Sequence, residues 1–152
     1  MDSSTSLTLL LEQAESARDA QQTVLRNCEA AAAHAQAQAD QLLAYRGQYE
    51  QRWSTHFRQA GAIELLQCVQ GFSQRLEQAI SHQGHASAQA QARVAQARQQ
   101  LIALEQRVAA VRKLIERRQA EQRRAADRRE QRSTDEAAQR RPSGSRLTPS
   151  LI

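Results

Sequence analysis

The stretch VAQARQQLIALEQRVAAVRKLI, from Val94 to Ile115, decides the fold. Its apolar residues recur at alternating intervals of three and four, and the same alternation extends back to Leu66. The resulting seam contains Leu66, Val69, Ser73, Leu76, Ile80, Gln83, Ser87, Ala90, Val94, Ala97, Leu101, Leu104, Val108, Val111 and Ile115. Such a spacing, kept over many turns, is typical of a helix in a coiled coil. We therefore predict a long helix whose apolar seam ends at Ile115, because the next core position holds Arg118.

A second seam lies in the first third of the chain, where two columns of residues each repeat every seven positions. One column contains Leu7, Ala14, Gln21, Cys28, Ala35, Leu42 and Tyr49, and the other contains Leu10, Ala17, Val24, Ala31, Gln38 and Tyr45. The seam fades after Trp53, and Gly61 is a natural helix breaker. We predict one helix over 4–58, a turn over 59–62, a second helix over 63–140, and a disordered tail over 142–152.

The composition agrees with long helices rather than a globular core. The 152 residues include only two Phe, two Tyr and one Trp, and no Pro precedes Pro142. No apolar run approaches the roughly 20 residues that a membrane span needs, and the N-terminus is a poor signal peptide. Cys28 and Cys68 are predicted to be reduced thiols of a cytosolic protein, with a disulfide as the alternative.

Folding the chain at about residue 60 brings residues of matching size together. The alanine-rich stretch Ala30 to Ala39 would face residues 81–90, and the leucines Leu7 to Leu11 would face Val108 to Ile115. We therefore predict an all-α fold in which two long helices form one antiparallel coiled-coil domain over residues 1–141. A parallel homodimer would also match like with like, and it is the alternative.

In this arrangement the pairing ends near Glu116, and the stretch Arg117 to Arg141 becomes a helical overhang of about 25 residues. It holds nine arginines, five acids, no lysine and no aromatic residue. The charge is uneven along the chain: residues 1–106 carry eight basic and ten acidic residues, whereas residues 107–152 carry thirteen and six. The positive charge of the protein therefore belongs to its last third.

Four interpretations of the overhang are open. It is self-paired and only solvated if Arg117 meets Glu121 and Arg123 meets Asp127, four residues apart on a helix. Nucleic acid is disfavoured by the interspersed acids and the lack of stacking aromatics. A membrane surface is disfavoured because only alanines oppose the charge. A protein partner with a charged, concave surface remains.

No enzyme chemistry is indicated. The sequence has no glycine-rich phosphate loop, and a two-helix hairpin has no deep pocket. His82 and His85, three apart, could share a helix face, but no third metal ligand is evident. We predict a protein that is not an enzyme and needs no cofactor, no metal and no small-molecule substrate.

The chain resembles the FliJ family, the coiled-coil protein of the bacterial flagellar type III export apparatus. The resemblance runs from about Leu7 to Arg141. It rests on the order of three segments: LLAYRGQYEQRW with its two tyrosines four apart, GFSQRLEQAISHQ, and the terminal RREQRSTDEAAQRR. The injectisome counterparts of the family are similar and are the runner-up, and a basic coiled-coil protein that binds nucleic acid is the other alternative.

The resemblance implies a monomer when free, located in the cytoplasm and peripherally associated with the inner membrane at the export apparatus. Its implied partners are the hexameric export ATPase, the cytoplasmic domain of the export gate membrane protein, and export chaperones. The family's gate-contacting stripe corresponds here to Phe72, Leu76, Ala79 and Gln83, where the last position is often His in the family. These four residues lie along one ridge of a helix, so they could equally widen the core of the hairpin.

The overhang is expected to enter the ATPase ring, because a single helix about 10–12 Å wide suits a ring channel better than two helices would. Its arginines would guide it electrostatically. The residues expected to contact the ring are Arg117, Arg118, Arg123, Arg124, Arg128, Arg129 and Arg132.

Overall fold

The computed structural model describes residues 2–57 and 63–141, and within them the chain forms two α-helices. Helix α1 spans Ser3–Phe57 and helix α2 spans Ile63–Arg140. Alanine and the straight-chain residues that fill both helices lose little side-chain freedom in a helix. The predicted turn over 59–62, with Gly61, and the predicted tail over 142–152 lie outside the described residues.

The start of α1 is capped by backbone hydrogen bonds. The amides of Thr5 and Ser6 both donate to the carbonyl oxygen of Asp2, at 3.0 and 3.3 Å. The Ser6 bond is the first regular bond of the helix, and the Thr5 bond occupies one of the amides that a helix start leaves without an intrahelical partner. The helix therefore begins among the Ser and Thr residues that the sequence offers there.

The chain falls into two compact units. One unit is Gln13–Val108. The other combines Met1–Glu12 with Ala109–Ile152, of which the structure describes residues 2–12 and 109–141. Segments of both helices contribute to each unit, and the packing of each is described separately.

Within Gln13–Val108 the two helices pack against each other in opposite directions. Three cross-helix contacts show the direction: Gln21 meets Gln100, Gln36 meets Ser87, and Arg46 meets Glu77. As the residue number rises along α1, it falls along α2, and paired numbers add up to about 120 as expected for a hairpin. The predicted all-α antiparallel coiled coil is confirmed.

The predicted seam of α2 is confirmed along nearly its whole length. Val69, Leu76, Ala97 and Val108 are buried, and the seam positions between them are buried or half-buried. The exception is Leu66, which is 42% exposed, while its neighbour Leu65 is half-buried. The 3-4 alternation therefore identifies the packed face from Val69 onward.

The predicted seam of α1 is half right. The column from Ala14 to Tyr49 is buried or half-buried at every position, as predicted. The second column is half-buried at Leu10 but wrong beyond it: Ala17, Val24, Ala31, Gln38 and Tyr45 are all exposed. The column that packs instead is displaced by one residue and contains Arg18, Leu25, Ala32, Ala39, Arg46 and Trp53, all half-buried.

Two arginines conceal this column in the sequence. Long cationic side chains can lie with their alkyl stems along a core while their charged heads reach water. Arg18 contacts Asp19 at 3.0 Å, and Arg46 contacts Glu77 across the hairpin at 3.0 Å. The heads thus find carboxylates at the surface, so arginine is compatible with a seam position.

Two glutamines on the seam form matching hydrogen-bond clamps, one from each helix. The side-chain amides of Gln21 and Gln83 each donate to a backbone carbonyl and to a glutamine three residues further along the opposite helix. The acceptors are Ala97 (3.1 Å) and Gln100 (3.2 Å) for Gln21, and Ala35 (3.1 Å) and Gln38 (3.1 Å) for Gln83. A polar residue at a coiled-coil core position specifies register at a cost in stability.

We expect the double substitution Gln21→Leu and Gln83→Leu to raise the midpoint of thermal unfolding by several degrees. Leucine adds apolar burial and removes the desolvation cost of the amides. Circular dichroism melting is the measurement, with Gln22→Leu and Gln78→Leu as a control pair outside the clamps. A lower midpoint for the clamp variant would mean that the four hydrogen bonds are themselves net stabilising.

Candidate partner-binding surfaces

An aromatic cluster lies within Gln13–Val108 and joins the two helices. It consists of Tyr45, Tyr49 and Trp53, spaced four apart on α1, and Phe72 on α2. The ring of Phe72 lies 4.5 Å from that of Tyr49 and 6.3 Å from that of Tyr45, measured between centroids. Tyr49 also packs against Trp53 at 5.6 Å. Tilted and edge-on contacts at these distances are favourable for aromatic pairs.

The cluster is partly open to solvent. Tyr45 is 46% exposed, whereas Tyr49, Trp53 and Phe72 are half-buried. Burial, followed by the charge of Tyr45, raises the pKa of the Tyr49 phenol above its ordinary value. The shift is away from physiological pH, so the Tyr49 phenol stays in the uncharged form that a phenol ordinarily has there.

The predicted gate stripe divides into supporting and exposed members. Leu76 is buried at 7% exposure, and half-buried Gln83 is one of the two glutamine clamps, so both hold the helices together. Phe72 is half-buried in the aromatic cluster, and Ala79 is exposed. The surface that the stripe offers to a partner is therefore Ala79 and the open edge of Phe72.

The spacing alone does not predict that Tyr45 and Tyr49 belong to this surface. It places Tyr45 in a core column, whereas in the structure Tyr45 is exposed and its ring contacts Phe72. A signal was present, because folding the chain at about residue 60 places residue 72 opposite residue 48. Exposed Leu43 and Leu66, at 44% and 42%, add apolar surface to the same unit.

The arginine-rich part of α2 lies in the other unit, and its first turn still contacts α1. The guanidinium of Arg118 donates a hydrogen bond to the hydroxyl of Ser3. Side chains of both helices line an open groove here: Ser4, Leu7, Thr8, Ile115, Arg118, Gln119 and Gln122. Contact with α1 therefore extends to Arg118, two residues past the predicted end of pairing near Glu116.

Beyond Gln122 the described part of α2 is a single solvated helix. Every described residue from Arg123 to Arg141 is exposed except Ala125. Across the described residues from Arg117 to Arg141, no guanidinium lies within ion-pair distance of a carboxylate. The self-paired interpretation of the overhang therefore has no support in these residues, and the arginines present their charge to solvent.

The seven arginines expected at the ATPase ring do not share one face. From the helical repeat, Arg124 lies about 140° around α2 from Arg129, and Arg128 lies about 100° from Arg129. Arg117 and Arg118 line a second groove together with Leu7, Leu114 and Glu121. Arginine side chains therefore surround α2 on all sides in this segment, and the apolar residues that line its grooves lie near the start of α1.

Metal binding has no support among the described residues. Over 2–57 and 63–141, no three His, Cys, Asp or Glu side chains come together as a metal site would require. His82 and His85 are exposed, and the thiols of Cys28 and Cys68 are free. No described helix has a stretch both long and apolar enough to span a bilayer.

Comparison with known proteins identifies the family. The family model described as Flagellar FliJ protein matches residues 3–147, which is nearly the whole chain. No curated protein and no solved structure matches the chain. Two long helices packed antiparallel, with an arginine-rich extension of the second, agree with the fold that the resemblance implied. The chain therefore belongs to the FliJ family of flagellar type III export proteins.

Proposed function

We propose that the protein is the coiled-coil stalk that couples the export ATPase ring to the export gate. The observation that carries the proposal is the family match over residues 3–147. Two different surfaces support it: the aromatic cluster with Ala79 in one unit, and the exposed arginine helix in the other. A coupling protein needs two such surfaces, because it must bind two partners at once.

The arginine helix is the surface proposed for the ATPase. The described chain beyond Gln122 is one exposed helix with no partner from α1, and a single helix of about 10–12 Å fits a ring channel. Its positive charge accelerates encounter with an acidic surface. The proposed ring contacts are the seven arginines named above, with Arg117 and Arg118 nearest to the paired helices.

The surface proposed for the gate is Phe72 with Ala79, supported from below by Leu76 and Gln83. Tyr45 and Tyr49 extend it, because their rings pack on Phe72. Aromatic side chains with one open edge are the usual anchors of protein interfaces. This surface is built of aromatic and apolar side chains, so it suits a partner different in chemistry from the one that the arginine helix binds.

The remaining parts of the proposal follow the family. The protein would act without catalysis of its own, cycle export chaperones, and associate peripherally with the inner membrane through the gate. The match to a flagellar family favours the flagellar system over the injectisome. Nucleic acid binding stays the second candidate because the sequence has a pI of about 10.2.

Binding measured side by side tests the proposal. The labelled chain is titrated with export ATPase, with the cytoplasmic domain of the gate protein, and with duplex DNA in one buffer at physiological salt. We expect binding to both proteins and weaker binding to DNA, because acids interrupt the arginine run. Binding to DNA alone, with a steep dependence on salt, would contradict the stalk function.

A further inference from the structure

The groove at the start of α1 continues onto the arginine helix. Its first part is lined by residues of both helices, including Gln119 and Gln122 of α2. A second groove is lined by Gln119, Gln122, Arg123 and Ala126 alone. The two share Gln119 and Gln122, so they form one furrow along α2, which we call the seam furrow.

The seam furrow follows the face of α2 that α1 covers earlier in the same unit. Val111 is buried and Ile115 half-buried against the start of α1. Residues spaced alternately three and four apart stay on one helix face, and the next seam positions are Arg118, Gln122, Ala125 and Arg129, with Ala126 beside them. The furrow is therefore the coiled-coil seam continued past the point where α1 begins.

The chemistry of the furrow differs from that of the covered seam. Beyond Ile115 its floor is made of Ala126 and the stems of two glutamines, which are too small or too polar for a hydrophobic core. Its walls are Arg118 and Arg123, and Arg129 lies on the same face three residues after Ala126; Arg123 and Arg129 make no ion pair. The acids Glu121 and Asp127 lie on other faces of the helix, whereas Glu130, four residues after Ala126, lies at the far end of the furrow.

We propose that the seam furrow binds an acidic α-helix of a partner protein, which takes along α2 the place that α1 takes before it. A small floor admits a helix at close approach, and arginine walls pair with carboxylates on both flanks of that helix. A second copy of this chain would bring arginine against arginine. A lipid surface would need bulky apolar side chains, and the furrow has none beyond Ile115.

The inference deepens the proposed function, and it rests on that function only for the identity of the partner.

The probe that tests the furrow is a synthetic helical peptide of about 21 residues, roughly 30 Å long, with alanine on one face and glutamate on both flanks. A matched peptide carries lysine in place of glutamate. Binding to the full chain is followed by fluorescence anisotropy.

Paired arginine substitutions locate the contact. Arg123→Gln with Arg129→Gln removes two arginines from the furrow's face, whereas Arg124→Gln with Arg128→Gln removes the same charge from other faces of the helix. We expect the first pair to weaken glutamate-peptide binding about tenfold or more and the second less than about threefold. Ala126→Glu should weaken it as the first pair does, while Ala138→Glu should not.

Three outcomes would overturn the proposal. The first is that both arginine pairs weaken glutamate-peptide binding equally, and the second is that the lysine peptide binds as tightly as the glutamate peptide. The third is that duplex DNA or phosphatidylserine vesicles bind the furrow face more tightly than the glutamate peptide does. Face-specific peptide binding without any stimulation of the export ATPase would leave the furrow standing and reject the ATPase as its partner. If stimulation of the export ATPase survives loss of the furrow walls, the ATPase remains a partner of the chain, but the furrow is rejected as the surface that binds it.

Discussion

Removal of residues 123–152 is expected to abolish stimulation of ATP hydrolysis by the export ATPase. The deletion takes away eight arginines and four acids, and it begins just after the last residue of α2 that lines the groove shared with α1. Arg118 keeps its hydrogen bond to Ser3, and the groove around Leu7 keeps its lining. The paired helices should therefore remain folded while the surface proposed for the ring is lost.

The measurement is steady-state phosphate release by the ATPase with the intact or the shortened chain at equal concentration. Deletion of residues 142–152 alone is the control, and we expect it to leave stimulation unchanged. Substituting glutamine for Arg123, Arg124, Arg128 and Arg129 should weaken stimulation, and more so at low salt, where charges are screened less. Normal stimulation by the chain that ends at Gln122 would show that the arginine helix is not needed to stimulate the ATPase.

Phe72→Ala combined with Ala79→Glu is expected to weaken binding to the gate domain by about thirtyfold, or roughly 2 kcal/mol. Phe72 supplies the aromatic anchor, and a carboxylate at exposed Ala79 would have to be desolvated in the interface. Leu76 is left intact because it is buried, and its loss would destabilise the helix pair itself. Affinity is measured by isothermal titration calorimetry.

Ala92→Glu provides the matched control for this surface, because Ala92 is also exposed on α2 but lies off the ridge of Phe72 and Ala79. It should leave gate affinity unchanged. Both variants should keep the helical circular dichroism of the native chain. Unchanged gate affinity in the folded Phe72 and Ala79 variant would reduce the stripe to a part of the hairpin core.

The fold could be predicted from the sequence because the residues that pack in a coiled coil recur at regular intervals of three and four. The seam of α2 from Val69 to Ile115 is readable since nearly every position is aliphatic or small. The second column of α1 was misread by one residue, because Arg18 and Arg46 occupy seam positions. Hydrophobic spacing alone does not reveal an arginine whose stem packs while its head reaches a carboxylate.

The surfaces were less predictable than the fold. Phe72 could be chosen for its rarity and its position on the flank of the seam, but its contacts with Tyr45 and Tyr49 depend on the register between helices. The seam furrow could not be predicted either, because its existence depends on where α1 begins. The intrahelical ion pairs do not form for another reason. Each such pair stabilises a helix by only about 0.2–0.5 kcal/mol, so the four-residue spacing does not ensure that the pair forms.

Simultaneous binding of the two partners tests the central claim most directly. The labelled chain, of 17.0 kDa, is sedimented alone as a monomer and then with the export ATPase, the gate domain, or both. A stalk with separate surfaces predicts one complex that contains all three proteins and sediments faster than either binary complex. If the gate domain instead displaces the ATPase from the chain, the two partners share one surface, and the protein does not couple them as proposed.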